Sequence, residues 1–283
     1  MEQAAEGFLV RATSELSVVK CDGPCGQEAK MIRRVVDLLS LCGTQNEVFP
    51  PTDLFNEGWM LRLVLDWLHR SPSLTHPFSF HPGARWYSEA RLPSRFPPTY
   101  RGDPLGESTT HADGIIGHFQ ISPGKRAEAA LSADTSQFVV VEAKLGSPLS
   151  KGVTNAPNYG QASRTVACIA HMVQVAGLRP DSLRSLGFFV VAPQRQIDSG
   201  LFEDFVTKER IRLQVMERVA AYGGTHGAWF EESFLPTLAV IDLGLMSWEE
   251  IIGESESQDS DGSLAEFYAE CLRFNPLRGN STG

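Results

Sequence analysis

The stretch Phe138-Val139-Val140-Val141-Glu142-Ala143-Lys144 is an apolar run that ends abruptly on a carboxylate and an ammonium two residues apart. Such a run reads as a buried strand. Alternate side chains of a strand share one face, so Glu142 and Lys144 leave the strand end in the same direction and meet in one small volume. A second strand-like segment, Thr110 to Gly117, carries another acid, Asp113, upstream. Opposite charges delivered to one place by a buried strand suit a catalytic rim better than a scaffold.

At 283 residues the chain is long enough for a sizeable core, and we read residues 1–283 as one domain. Hydrophobic content of 42% and charged content of 21% fit an ordinary globular chain. No apolar run approaches the roughly 20 residues that a membrane span needs. The start Met1-Glu2-Gln3-Ala4-Ala5-Glu6 lacks the basic opening of an export signal, so the expectation is a cytoplasmic protein with no membrane partner. Five scattered cysteines (Cys21, Cys25, Cys42, Cys168 and Cys271) read as reduced thiols. Cys21 and Cys25 lack the matching second pair or nearby histidines of a zinc site.

The net charge of −9 argues against nucleic acid only until its distribution is seen. Eleven acidic residues and no Lys or Arg lie between Val219 and Leu272, which leaves the remainder mildly basic. Arg outnumbers Lys by nineteen to six, favouring the planar donor that grips phosphates bidentately.

Along the chain, Gln27 to Cys42 has the apolar stripe of a helix, whereas residues 7–20 show no clear period. A second helix runs from about Asp53 to His69, capped by Thr52 or Asp53. Its stripe Met60, Leu61, Val64, Leu65 and Leu68, extended backward, places Glu57 on the inward face. Strands are expected at Arg85–Leu92, His111–Ile121, Gln137–Leu145, Phe188–Ala192 and Leu238–Leu243. Helices are expected at Asn158–Val175, Phe202–Tyr222 and Leu264–Phe274, with an acidic solvated loop over Gly253–Gly262. The sum is an α/β chain with a mixed central sheet flanked by helices.

The order Glu57 on a helix, Asp113 on a strand, Glu142-Ala143-Lys144 on the next, then a helix carrying Gln161 resembles the PD-(D/E)xK nuclease superfamily. The resemblance covers about residues 53–192, leaving an N-terminal helical elaboration over 1–50 and an acidic C-terminal one over 219–283. Ala112 stands where the name-giving Pro would be. The tripeptide alone is weak, since Glu28-Ala29-Lys30 repeats it at a predicted helix start, where positions i and i+2 diverge. Context carries the likeness.

The resemblance implies a restriction-endonuclease-like fold and a divalent-metal-dependent nuclease that hydrolyses DNA. Asp113, Glu142 and the Ala143 carbonyl would hold Mg2+ or Mn2+, the ions that hard oxygen ligands select. Lys144 would orient the attacking water, Glu57 would hold a metal-bound water or second ion, and Gln161 would position Lys144 or a phosphate. With no second DNA-binding module evident, the protein would act by itself, as a homodimer, or be targeted by a partner. Three other readings stand beside this one: a non-catalytic interaction module that keeps the fold, an RNA-processing member of the superfamily, and an unrelated α/β ligand-binding protein. The last would place Asp113 and Glu142 far apart. Arg164, Lys151, Arg195, His111 and Tyr159 are the nearest further candidates for substrate contact, and the loop 146–158 would border the substrate channel.

Overall fold

The computed structural model describes residues 24–71, 76–107, 109–122, 126–258 and 262–276. The stretch 7–20 and Cys21 lie outside them. The first helix, α1 (Pro24–Leu39), contains the decoy tripeptide at its beginning. Helix α2 (Glu57–Arg70) follows a 3-10 turn at Pro51–Asp53. Its cap is Asn56, whose Oδ1 accepts from the Trp59 N–H at 3.0 Å, and not Thr52 or Asp53. The expected helix therefore starts one turn later.

Strands β1 (Arg85–Leu92), β2 (Thr110–Gly117), β5 (Gln137–Ala143), β6 (Ser185–Ala192) and β7 (Asp242–Ser247) form one sheet in that spatial order, with β3 (Gln120–Ile121) and β4 (Ala129–Ala130) paired separately. β1, β2 and β5 are antiparallel neighbours, while β5, β6 and β7 run parallel. Helix α3 (Gln161–Val175) connects β5 to β6. Helices α4 (Gln194–Asp198), α5 (Lys208–Ala221), α6 (Gly227–Trp229) and α7 (Leu235–Val240) lie between β6 and β7. Helices α8 (Trp248–Gln258) and α9 (Ser263–Phe274) close the described chain.

Central β5 is buried at every position and divides its side chains between two cores. Phe138 and Val140 join the cluster beneath α3, whereas Val139, Val141 and Ala143 join the cluster of α2, α8 and α9. Glu142 and Lys144 continue the α3 face by parity. A five-stranded mixed sheet flanked by helices is thus present as expected.

Four expected elements are different. The helix expected from Phe202 begins at Lys208, where the Thr207 hydroxyl oxygen accepts from the Arg210 N–H at 3.2 Å. The strand expected over His111–Ile121 ends at Gly117, whose φ of 136° turns the chain before β3. Leu238–Leu243 is no single strand: residues 235–240 are helical and the strand begins at Asp242. Phe230, Phe234 and Leu238 recur every four residues and are buried, which is helical spacing, and a π-helical turn at Phe230–Phe234 joins the segment to α6. The acidic span 253–258 is likewise the end of α8 and not a loop, because Trp248, Ile251, Ile252 and Ser255 bury one face and leave Glu256 on the other. Among the described residues, no helix is long and apolar enough to cross a membrane.

Candidate active site

The antiparallel ladder between β2 and β5 stops at Gly114 opposite Val141. Beyond this level both β2 and its other neighbour change their side-chain alternation. Ala112 and Ile115 share the α3 face, as do Tyr87 and Ala90 on β1, so each strand slips a residue between. Glu89, level with Asp113 in the β1 register, takes up the slip with φ of 59°. Freed from simple alternation, the Asp113 carboxylate turns toward β5, and its Oδ2 accepts from the Ala143 N–H at 2.8 Å. A side chain thus replaces the backbone ladder where the strands part.

Gly114 permits this approach from the helix side. A Cβ there would meet Leu65 Cδ1 at 2.9 Å and Leu61 Cδ2 at 3.0 Å, so the missing side chain beside Asp113 gives α2 room to lie close on β2. The dipeptide Asp113-Gly114 is a strand feature and not a turn.

At the end of β5, Glu142 is 2% exposed and Lys144 8%. One oxygen, Glu142 Oε1, receives both the Lys144 ammonium and the Gln161 Nε2 amide, the latter at 2.5 Å. Burial first, and the neighbouring Asp113 carboxylate second, push the Glu142 carboxyl up to about 8, with Lys144 partly offsetting them. Asp113, Glu142, Ala143, Lys144 and Gln161 are therefore brought together.

Ladder parity also orients the Ala143 backbone. Lys144 donates its N–H to Val191 of β6 at 2.8 Å, so even-numbered residues of β5 face β6, and the Ala143 carbonyl faces the Asp113 side. Among the described residues, no group of three or more His, Cys, Asp or Glu side chains is gathered to hold a metal ion. The oxygens at the end of β5 are those of the Asp113 and Glu142 carboxylates and the Ala143 carbonyl. Their repulsion, felt in the raised proton affinity of Glu142, is what a hard cation would relieve.

Among the described residues, Glu57 does not form a group of three carboxylates with Asp113 and Glu142. It opens α2, half-buried, and its charge bears on the Cys271 thiol of α9, which burial first and Glu57 second raise to about 12. His111 is exposed. Tyr159 packs edge-on against Phe96 in the core.

Three residues that sequence reasoning did not select hold the site in place. Trp248 Nε1 donates to the Lys144 carbonyl at 2.8 Å, where Pro193 after β6 has no N–H to offer. Ser150 and Gln161 bond reciprocally: Gln161 N–H to Ser150 O at 2.8 Å, and Ser150 N–H to Gln161 Oε1 at 3.2 Å. Gln214 on α5 accepts from the Gly160 N–H at 3.2 Å and the Ser163 hydroxyl at 2.6 Å, doing for the start of α3 what its glycine cap cannot. Each is a contact between distant segments, and nothing in the local sequence marks it.

The chain matches no protein-family model, no curated protein and no solved structure.

Proposed function

We propose that this protein is a divalent-metal-dependent nuclease of the PD-(D/E)xK kind, with a restriction-endonuclease-like core, that hydrolyses phosphodiester bonds in DNA. One observation carries the reading: the Glu142 carboxylate, nearly out of water, holds Lys144 and Gln161 on one oxygen while Asp113 presses against it. Burying such a group beside a like charge is costly for a scaffold and useful for a cation site.

Asp113, Glu142 and the Ala143 carbonyl are the residues that would hold Mg2+ or Mn2+. The ion would supply stabilisation of the charge that builds on the phosphoryl oxygens and a water activated at neutral pH. Lys144, delivered to the same face, brings a cation to the scissile phosphate and a donor that orients the attacking water. Gln161 fixes the Glu142 oxygen, so the carboxylate is aimed before substrate arrives. Asp113 is aimed in turn by the Ala143 N–H.

Titration of Mg2+ or Mn2+ with plasmid, linear and single-stranded DNA tests this reading. Wild type is expected to cleave, and Glu142→Ala and Lys144→Ala to lose at least about 100-fold in rate. Equal cleavage by all three proteins would assign the activity to a contaminant and end the proposal.

A further inference from the structure

Next along the chain from Ser150 lies a solvent-open depression of about 700 Å³, bordered by Gly106 on one side and by Lys151, Gly152, Thr154, Asn155 and Pro157 on the other. Its size falls within the range of about 300–1,000 Å³ that small-molecule-sized groups occupy. Both walls are fixed. The Asn155 Nδ2 amide donates to the Asp103 carbonyl at 3.3 Å and to the Gly106 carbonyl at 3.1 Å, tying the loops together. Within the second loop, Val153 and Ala156 exchange backbone hydrogen bonds at 3.0 and 2.9 Å. Behind the first, Arg218 and Tyr222 both donate to the Leu105 carbonyl, and Arg218 is held by the buried Glu107 at 3.4 Å.

The lining has one sign of charge. Lys151 supplies an ammonium, Thr154 a hydroxyl, and no carboxylate is among the lining residues. Such a cleft attracts an anion. Pro157 and Val153 add apolar surface, suited to a ring or sugar rather than to a bare inorganic ion. The cavity also joins the candidate site through the chain: Lys151 follows Ser150, Ser150 bonds Gln161 in both directions, and Gln161 bonds Glu142.

We propose that this cavity is a nucleotide subsite, taking one unpaired nucleotide of the substrate strand with its phosphate on Lys151. The inference rests on the nuclease reading for its substrate and goes beyond it in substrate form. A base paired and stacked within a duplex is not free to enter the depression, whereas a single-stranded or extruded nucleotide is. Strands with unpaired nucleotides next to the scissile bond are therefore preferred over continuous duplex.

The test measures binding, so that it stands apart from cleavage. Fluorescence anisotropy with a short labelled single-stranded oligonucleotide and its duplex, in Ca2+, is followed against salt for wild type, Lys151→Ala, Lys151→Arg and Thr154→Trp. Lys151→Ala is expected to weaken single-strand binding at least about fivefold near 50 mM salt and to reduce the salt slope by about 0.7, the loss of one phosphate contact, with Lys151→Arg restoring both. Thr154 is exposed, so Thr154→Trp fills the cavity without touching the core and is expected to weaken single-strand binding at unchanged charge. Unchanged binding by either Lys151→Ala or Thr154→Trp overturns the subsite, as do equal losses on duplex and single strand. If wild type cleaves nothing while these binding losses appear, the nuclease reading fails and the subsite stands.

Discussion

Glu142 keeps a carboxyl group out of water beside a second carboxylate, and that leaves a signature in stability. Burial and Asp113 raise its pKa from an ordinary 4.5 to about 8. Between those values the folded chain holds a proton that the unfolded chain has released, so stability falls as pH rises through the window. The unfolding free energy of metal-free wild type, measured by urea titration, is expected to drop between about pH 5 and about pH 8, by a few kcal/mol at most. In Glu142→Gln, whose amide does not titrate, this slope flattens. Parallel curves for the two proteins would show that the fold already carries the ionised form. The residue types of this site were legible in the sequence because strand alternation is a rule of nearest neighbours: it puts Glu142 and Lys144 together without knowledge of the rest. Asp113 was legible as an acid on a strand but not in its contact, since the slip beside Glu89 that frees it to reach Ala143 depends on two paired strands.

At the scale of elements, the site depends on how closely helices approach the sheet. Gly114→Ala would drive a methyl group into Leu61 and Leu65, at 3.0 and 2.9 Å. The contacting atoms are leucine methyls with some freedom, so a destabilisation of about 1–2 kcal/mol, the lower end of overpacking, is expected in urea unfolding. An unchanged midpoint would mean that α2 shifts without cost. In the same core as Leu61 and Leu65, Trp248 is fully buried and its indole serves the Lys144 carbonyl. Trp248→Phe removes the donor and leaves a buried acceptor unpaired, which should cost about 2 kcal/mol or more. A loss well below that would show that the carbonyl finds another partner. The helices and strands with clean periods were readable within a few residues, β1 from Arg85 to Leu92 among them. The misreadings at 238–243 and 253–258 share one cause: in each, a short apolar or acidic run outweighed the four-residue spacing of Phe230, Phe234 and Leu238, or of Trp248 and Ile252. Trp248 and Gln214 act on segments far off in the chain, and no local pattern announces such partners.

For the whole molecule, charge is sorted by position along the chain and so over its surface. The eleven acids between Val219 and Leu272 fall mostly on the later helices, which pack with α2 on one face of the sheet, while the remainder carries net positive charge. If the nuclease proposal holds, its polyanionic substrate is repelled by the acidic part and drawn to the rest at long range, and both effects shrink as the Debye length falls from about 10 Å at 0.1 M salt to about 3 Å at 1 M. Glu256 on α8 and Glu266 on α9 are exposed, so their reversal alters the field with little effect on packing. The double variant Glu256→Lys, Glu266→Lys should bind DNA several-fold more tightly than wild type near 50 mM salt and equally near 1 M, with the gain in association rate. Turnover at saturating substrate should stay unchanged, because neither residue reaches Glu142. Stopped-flow binding across salt checks this. A gain that persists at high salt would mean that the new lysines touch the strand directly, and that the acidic helices line the substrate path instead of repelling from beside it.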